Sequence, residues 1–321
     1  MMYRVSHDTT YDYGQSVSIS HHMLHLLPRA GGSQVCHRTA LYVSPTPTVC
    51  NNSVDYFGNR VVFLTVQVPH QKLVIRSKSV IEVVPPATPA PLATPPWEEV
   101  RDGLFADRSA HGIDALQYRF ESPFTVAEAD LPGFAAQSFA PGRPVLDAAL
   151  DLTGRIFREF KYDSTATTVS TPVDAVFKGR RGVCQDFAHL EIAALRSIGI
   201  PARYVSGYLL TYPPPGQVKL VGSDASHAWL SIWVPGHGWI DLDPTNNLLP
   251  SVEHITIGWG RDYGDVSPIN GVIIGGGAHD IKVAVDVRPV EAVTAAQEVE
   301  TEAAIIEFPK RGASEREIGL I

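Results

Sequence analysis

Charge is scarce in this chain, and what there is leans to one sign. Charged residues make up 19% of the 321, with 26 Lys and Arg against 34 Asp and Glu, a formal net charge of −8. So few cations argue against a nucleic-acid binder or an anionic-membrane binder, because either needs Lys and Arg concentrated on some face. No run of 18 apolar residues occurs, so no segment reads as a bilayer-spanning helix. The opening stretch, Met1-Met2-Tyr3-Arg4-Val5-Ser6-His7-Asp8, lacks the charged-then-apolar plan of a secretory signal, and the expected location is the cytoplasm. Cysteine is also sparse. Cys36, Cys50 and Cys184 make no disulfide framework. Cys36 and Cys50 could lie on neighbouring strands and pair, but two small buried thiols are the preferred reading. What is present is a globular balance, 44% hydrophobic. The length suggests two domains of about 150 residues, each able to bury a core.

The first third reads as β. Tyr3–Tyr13, Val35–Val43, Val61–Val68 and Leu73–Val83 are rich in Val, Ile, Tyr and Thr, and are separated by Pro28-Arg29-Ala30-Gly31-Gly32, Pro45-Thr46-Pro47 and Phe57-Gly58-Asn59. This spacing predicts a small antiparallel β-sandwich over residues 1–84. Residues 85–97 hold six prolines and read as a semi-rigid linker. Beyond it the pattern turns helical. Asp147–Phe160 places Leu150, Ile156, Phe157 and Phe160 near one face. Thr171-Pro172-Val173-Asp174 is a helix start. Cys184–Ile198 is the clearest helix, and Gly199-Ile200-Pro201 is its stop signal. Strands follow at Arg203–Leu210, His227–Val234 and Trp239–Leu242, the last two joined by Pro235-Gly236-His237-Gly238. Val272–Ile274 and Ile281–Val287 read as further strands. Residues 98–290 are assigned to a second domain, and 291–321 to an acidic tail, helical or disordered.

Gly182-Val183-Cys184-Gln185-Asp186 puts a cysteine at the first turn of a helix, after a glycine that permits close approach. Unpaired N–H groups and the partial positive charge there favour thiolate over thiol. They also offer hydrogen bonds to a developing oxyanion. Ser226-His227-Ala228-Trp229 opens one strand, and Trp239-Ile240-Asp241-Leu242-Asp243-Pro244 ends the next. The short turn between them makes the pair antiparallel, so His227 and Asp243 are expected as cross-strand neighbours. Asp241 is the same-face alternative. Asp243 is preferred because Pro244 marks where the strand stops. An acid beside an imidazole fixes its tautomer and favours its charged form, the logic of a Cys-His-Asp triad.

Several segments together resemble the bacterial transglutaminase-like superfamily: Arg181-Gly182-Val183-Cys184-Gln185-Asp186-Phe187-Ala188-His189, Gly199–Tyr208, His227-Ala228-Trp229, and Trp239-Ile240-Asp241-Leu242-Asp243-Pro244-Thr245, in the order Cys…His…Asp with separations of 43 and 16 residues. Tyr3–His7, Leu27-Pro28-Arg29 and Asp55–Arg60 resemble the N-terminal region that accompanies this core, and Gly260–Pro268 fits the same group. The likeness spans residues 1–290. It implies an α+β, papain-like core, with a Cys-bearing helix packed on an antiparallel sheet, preceded by the β-sandwich. It also implies Cys184 as nucleophile, His227 as base and acid, and Asp243 as orienter, acting through a thioester acyl-enzyme on a peptide or protein. No cofactor or metal is implied. Cys184 is followed by Gln185-Asp186 where animal transglutaminases have an aromatic, and no calcium loop of the D-x-D-x-D-G type is visible. Amide or peptide hydrolysis is therefore the leading expectation. Transglutaminase acyl transfer to amines and a non-catalytic binding or scaffold module are the alternatives.

Other clusters read as structural. Asp186, His189 and Glu191 do not share one helix face, and His189 is assigned to the helix surface or to packing. His21, His22 and His25 lack a partner at ligand spacing and read as a solvated strand end. Gly275-Gly276-Gly277 is a turn. Trp229 and Trp239 flank the His–Asp pair and either shield it or serve as core aromatics. Tyr162 is a position from which a side chain could line the site.

Overall fold

The computed structural model describes residues 1–212, 226–290 and 306–308. In chain order, the elements are β1 (Met2–Leu24), β2 (Gln34–Ser44), β3 (Val49–Val54), β4 (Arg60–Val66), β5 (His70–Val83), α1 (Trp97–Gly103), α2 (Ala110–Gln117), α3 (Leu131–Ala136), α4 (Val145–Glu159), β6 (Lys161–Tyr162), α5 (Val173–Gly179), β7 (Arg181–Gly182), α6 (Cys184–Ser197), β8 (Ala202–Leu209), β9 (Ser226–Val234), β10 (Gly238–Leu242), β11 (His254–Gly260), α7 (Tyr263–Val266), β12 (Ile269–Gly275), β13 (His279–Pro289) and β14 (Ile306–Phe308). They divide into a β-rich unit and a mixed unit. No helix among the described residues is long and apolar enough to cross a membrane.

The β-rich unit is organised by β1. From Tyr3 to Thr9 its side chains alternate between core and partly exposed positions, as a strand with one buried face must. Its first half is flanked by β5 and β13, and its second half by β4 and β12. The register breaks between Asp12 and Val17, where the strand changes partners. Leu24, Val62 and Leu64 from one half share a core with Leu41, Val43, Leu73 and Ile75 from the other, so the two halves face each other as in a sandwich.

Three expectations need correction here. The unit does not end at residue 84, and the second domain does not run to 290. β12 and β13 pair with β1, and their hairpin turns at Gly275, Gly276 and Gly277, all at positive φ. The hairpin covers an edge of β1 that residues 1–84 leave open. Of the tail at 291–321, only β14 falls within the described residues, and it pairs with β2. His22 and His25 are buried, not solvated: His22 lies on the opposite face of β1 from the exposed His21, and His25 follows the strand's end beside Asp55. Cys36 and Cys50 are free thiols on β2 and β3, which lie far apart in the strand order. Burial pushes both thiols up.

The mixed unit sets α6 against a four-stranded antiparallel sheet, ordered β10-β9-β8-β11. Ala228, Leu230, Ile232, Val234, Ile240 and Leu242 form one face of it and share a core with Phe187, Leu190, Ala194 and Leu195 of α6. α4 packs through Val145, Ala149, Leu152 and Ile156. Phe157 is 47% exposed, so the buried stripe of α4 is rotated from the one expected. The proline-rich stretch is partly tied down: Val145 N–H donates to Pro95 O, and Trp97 N–H to Arg143 O.

Gly199, at φ +86°, ends α6 as expected. One turn earlier the buried Arg196 spends its donors on Ala202 O, Arg261 O, Ser122 Oγ and Thr125 Oγ1. Burial pulls its pKa down to about 10. Arg196→Met removes every one of these bonds, including both to the buried Ala202 carbonyl. We expect a loss of about 3 kcal/mol of stability, checked by urea unfolding.

Candidate active site

The site is assembled where α6 begins and β9 begins. Val183 is extended (φ −114°), and the helix starts at Cys184. Asp186, at the third helical position, turns back to accept the Val183 N–H at 2.8 Å and the Thr167 hydroxyl at 2.6 Å. These two bonds fix the chain leading into Cys184. Burial nevertheless leaves the Asp186 carboxyl above its ordinary value. Gln185 donates to Val169 O at 3.1 Å and ties the preceding loop to the helix start. β6 lies parallel to β7, with Tyr162 opposite Gly182. Tyr162 is 55% exposed, and burial with the nearby Cys184 and Asp186 raises its phenol.

His227 reaches both ways. One ring nitrogen, Nε2, is 2.8 Å from Asp243 Oδ2, and the Cys184 side chain is near enough to the ring to raise its pKa. Nδ1 is the atom left for the sulfur. Burial alone would lower its pKa, but the bonds and charges of Asp243 and Cys184 outweigh burial and push it up to about 10. The route by which Asp243 arrives differs from the one expected. The β9–β10 ladder pairs Leu242 with Leu230 and Asp241 with Ser231, so His227 has no partner in it. Continued by one residue, that register sets Asp243 across from Trp229, with His227 on the diagonal. The chain instead turns at this point, through an Asp243–Leu248 bridge, and brings the carboxylate to the imidazole. Asp241, the same-face alternative, is occupied with Trp229 Nε1 at 3.0 Å and with the Ser231 hydroxyl.

Asp243 is fully buried and densely paired. Oδ1 accepts the N–H groups of Thr245 (2.9 Å) and Asn246 (3.1 Å). Oδ2 accepts from His227, from Asn246 Nδ2 (2.7 Å) and from His254 Nε2 (3.0 Å). Burial opposes ionisation, yet these donors hold the carboxyl far below the usual range. His227, Asp243 and His254 also carry the donor types of a metal site, with ligand atoms within 4.8 Å of one another. The short distances among them are those of hydrogen bonds.

Two neighbours take roles that the sequence leaves open between alternatives. Trp229 stands beside His227 (6.0 Å) and edge-on to His254 (5.2 Å), whereas Trp239 packs on Tyr118 and Trp233 in a separate cluster. His189 takes the packing role, as a core residue. It stacks between Phe124 and Tyr204 and accepts the Tyr263 N–H, and burial lowers its pKa to about 3. Glu191, two turns after Cys184, is completely buried. Thr153 Oγ1 lies 2.7 Å from Glu191 Oε1 and 3.0 Å from Ala149 O. One hydroxyl hydrogen can serve the carbonyl while the acid supplies the hydrogen for the other bond, so a protonated Glu191 satisfies both contacts. Its second oxygen has no partner. Burial, with the charge of Asp243 adding to it, raises its pKa to about 8.

Comparison with known proteins bears on this arrangement. Residues 3–82 match the bacterial transglutaminase-like N-terminal region, and residues 133–244 match the transglutaminase-like superfamily. An uncharacterized protein of Mycobacterium tuberculosis is 41% identical over 90% of this chain and 93% of its own length. A protein-glutamine gamma-glutamyltransferase of Pseudomonas aeruginosa is 34% identical over 31% of this chain and 16% of its own. Among solved structures, a candidate cysteine protease of Cytophaga hutchinsonii shares the fold with a TM-score of 0.69, 22% identity, and coverage of 91% of this chain and 92% of that one.

Proposed function

The chain belongs to the transglutaminase-like superfamily, and from that premise we propose that it is a cysteine-dependent amide or peptide hydrolase. In this reading Cys184 is the nucleophile, His227 the acid and base, and Asp243 the residue that orients His227. One observation carries it: His227, close enough to Cys184 at the start of α6 to have its pKa raised by it, is hydrogen-bonded to a buried, donor-saturated Asp243. A pure binding surface has no use for a charge pair held this way, so the scaffold alternative has less support.

The chemistry follows from the charges. The Cys184 thiolate attacks the carbonyl carbon of a peptide or amide, and the Cys184 N–H at the helix start donates to the oxyanion. The C–N bond breaks as the imidazolium of His227 gives its proton to the leaving nitrogen. That produces a thioester and neutral imidazole. Water then attacks the thioester, His227 takes its proton, and the acid leaves with the thiolate restored. Asp243 holds the N–H tautomer through both half-reactions. The substrate is a peptide or protein. The three free cysteines support a reducing, cytoplasmic setting.

A second reading differs only in the acceptor. A primary amine in place of water makes the same thioester a transglutaminase intermediate, and the Pseudomonas relative favours it. Denatured casein is a suitable probe. New amino termini or free ammonia without added amine, lost in Cys184→Ala, is the expected result. Product that appears only when a primary amine is supplied would replace hydrolysis by transfer. No turnover and no covalent Cys184 adduct would remove the enzyme reading altogether.

A further inference from the structure

We propose that His254 is a positioning residue of this site, a second imidazole that fixes the Asp243 carboxylate in one rotation and keeps it ionised for His227. The inference rests on the triad reading and extends it to a residue that no motif of the sequence marks.

The donor count comes first. A carboxylate only accepts, so every nitrogen facing it must carry a hydrogen. His254 therefore presents Nε2–H to Asp243 Oδ2 at 3.0 Å. Its Nδ1 is buried with no hydrogen-bond partner, a position that suits a bare lone pair and not a second N–H. The two imidazoles on one oxygen thus differ in kind. His227 has Cys184 as a neighbour, with which the proposed mechanism has it exchange a proton. The second nitrogen of His254 faces nothing. It is built as a fixed donor.

Topology gives the second argument. Asp243 follows β10 and His254 opens β11, the two outer strands of the sheet, with β9 and β8 between them. The connecting segment must cross the end at which His227 sits. The Asp243–His254 bond closes that crossing, and the edge-on contact with Trp229 at 5.2 Å sets the plane of the ring. Besides His227 and His254, the ionisable groups bearing on Asp243 are Glu191 of α6 and, through His227, Cys184.

Without the His254 donor, the carboxylate binds a proton more readily and its Oδ2 is held by His227 and Asn246 alone. His254→Phe keeps the ring and its contact with Trp229 but loses the N–H. His254→Gln offers an amide N–H in its place. The test is the pH profile of Cys184 alkylation by iodoacetamide, mapped by mass spectrometry, for wild type, His227→Ala and both His254 variants. We expect His254→Phe to slow labelling about tenfold near neutral pH, the effect of losing one hydrogen bond to a charged group, and to move the acidic limb up by about one pH unit. We expect His254→Gln to restore most of both. A purely structural role would lower stability in both variants and leave the profile in place.

If wild type labels fast, His227→Ala labels slowly, and His254→Phe superimposes on wild type, the inference is wrong and the triad reading stands. If wild-type Cys184 labels no faster than Cys36 and Cys50, the triad reading falls and takes the inference with it. Should His254→Phe not fold, histidine-labelled wild-type protein gives the answer by nitrogen NMR. An Nε2–H tautomer with a downfield proton at His254 is expected, and an Nδ1–H tautomer overturns the proposal.

Discussion

Asp243→Asn is expected to disarm Cys184 while sparing most of the fold. The change swaps an acceptor for a donor at the focus of three N–H groups, those of His227, His254 and Asn246. One amide oxygen can still serve the backbone N–H groups of Thr245 and Asn246. The new NH2 then faces His227, which must turn its bare Nε2 toward it and carry its hydrogen on the nitrogen nearest Cys184. That is the wrong tautomer for a base. The charge that raises His227 to about 10 is gone as well. With burial still lowering the ring and the Asp243 charge gone, at most about a tenth of His227 is charged at pH 7.5, so alkylation of Cys184 is expected to slow at least about tenfold. Asp243→Ala removes all five acceptor contacts and is expected to cost about 3–5 kcal/mol in addition. Urea unfolding beside the alkylation rate separates the two effects. Equal rates for wild type and Asp243→Asn would mean that the carboxylate has no part in activating the thiol.

The second large effect is on stability against pH, and it comes from Glu191. Its pKa in the folded protein is raised to about 8 from an ordinary value of 4.5. Below the lower value both folded and unfolded chains hold the proton. Between the two, the unfolded chain gives it up and the folded one keeps it, so stability falls as pH rises through that window and levels off above about 8. For so buried a group the full extent is on the order of 4 kcal/mol, or about 10 °C in Tm for a unit of this size. His227 adds a loss of the same sign, but only as pH rises from about 6.5 toward 10. From pH 5 to about 6.5 the buried histidines His189 (lowered to about 3), His7 and His22 (each to about 4) act with the opposite sign, because the unfolded chain protonates them there and the folded one does not, so Glu191 is isolated by the difference between wild type and a variant that cannot ionise. Glu191→Gln keeps a donor toward Thr153 and cannot ionise. Its Tm is expected to rise more steeply with pH over that interval than that of wild type, by the loss that Glu191 alone contributes. Parallel curves would show that Glu191 does not titrate there.

Much of the site is legible in the sequence because its pieces are local. A cysteine after glycine, a helix stopped by Gly199, and two strands joined by Pro235-Gly236-His237-Gly238 each follow from chain chemistry over a few residues, and all lie where expected. Pro244 correctly singles out Asp243 over Asp241 as the partner of His227, although a turn after the strand joins them and not a cross-strand pairing. Long-range geometry is what the sequence hides. His254 begins an unremarkable strand, and only the crossing from β10 to β11 carries it to Asp243. β12 and β13 read as strands, but their pairing with β1 leaves no local mark, so the domain boundary is misplaced. The α4 stripe shifts because Phe157 stays exposed while Ala149 and Leu152 face α6, a choice set by the neighbouring helix and not by hydrophobicity. Likewise, His22 and His25 look solvated by composition and are buried by topology.

The central claim is that Cys184 and His227 form a working thiolate–imidazolium pair. It is tested most directly by the rate of iodoacetamide labelling of Cys184 from about pH 5 to 9, in wild type and in His227→Ala, with Cys36 and Cys50 as references in the same molecule. Burial raises both reference thiols, so they should label slowly near neutral pH. The expected result is fast labelling of wild-type Cys184 at pH 6–7, at least about tenfold ahead of the other two, and lost in His227→Ala. Slow labelling of Cys184 that rises only at alkaline pH and ignores the His227 substitution would contradict it.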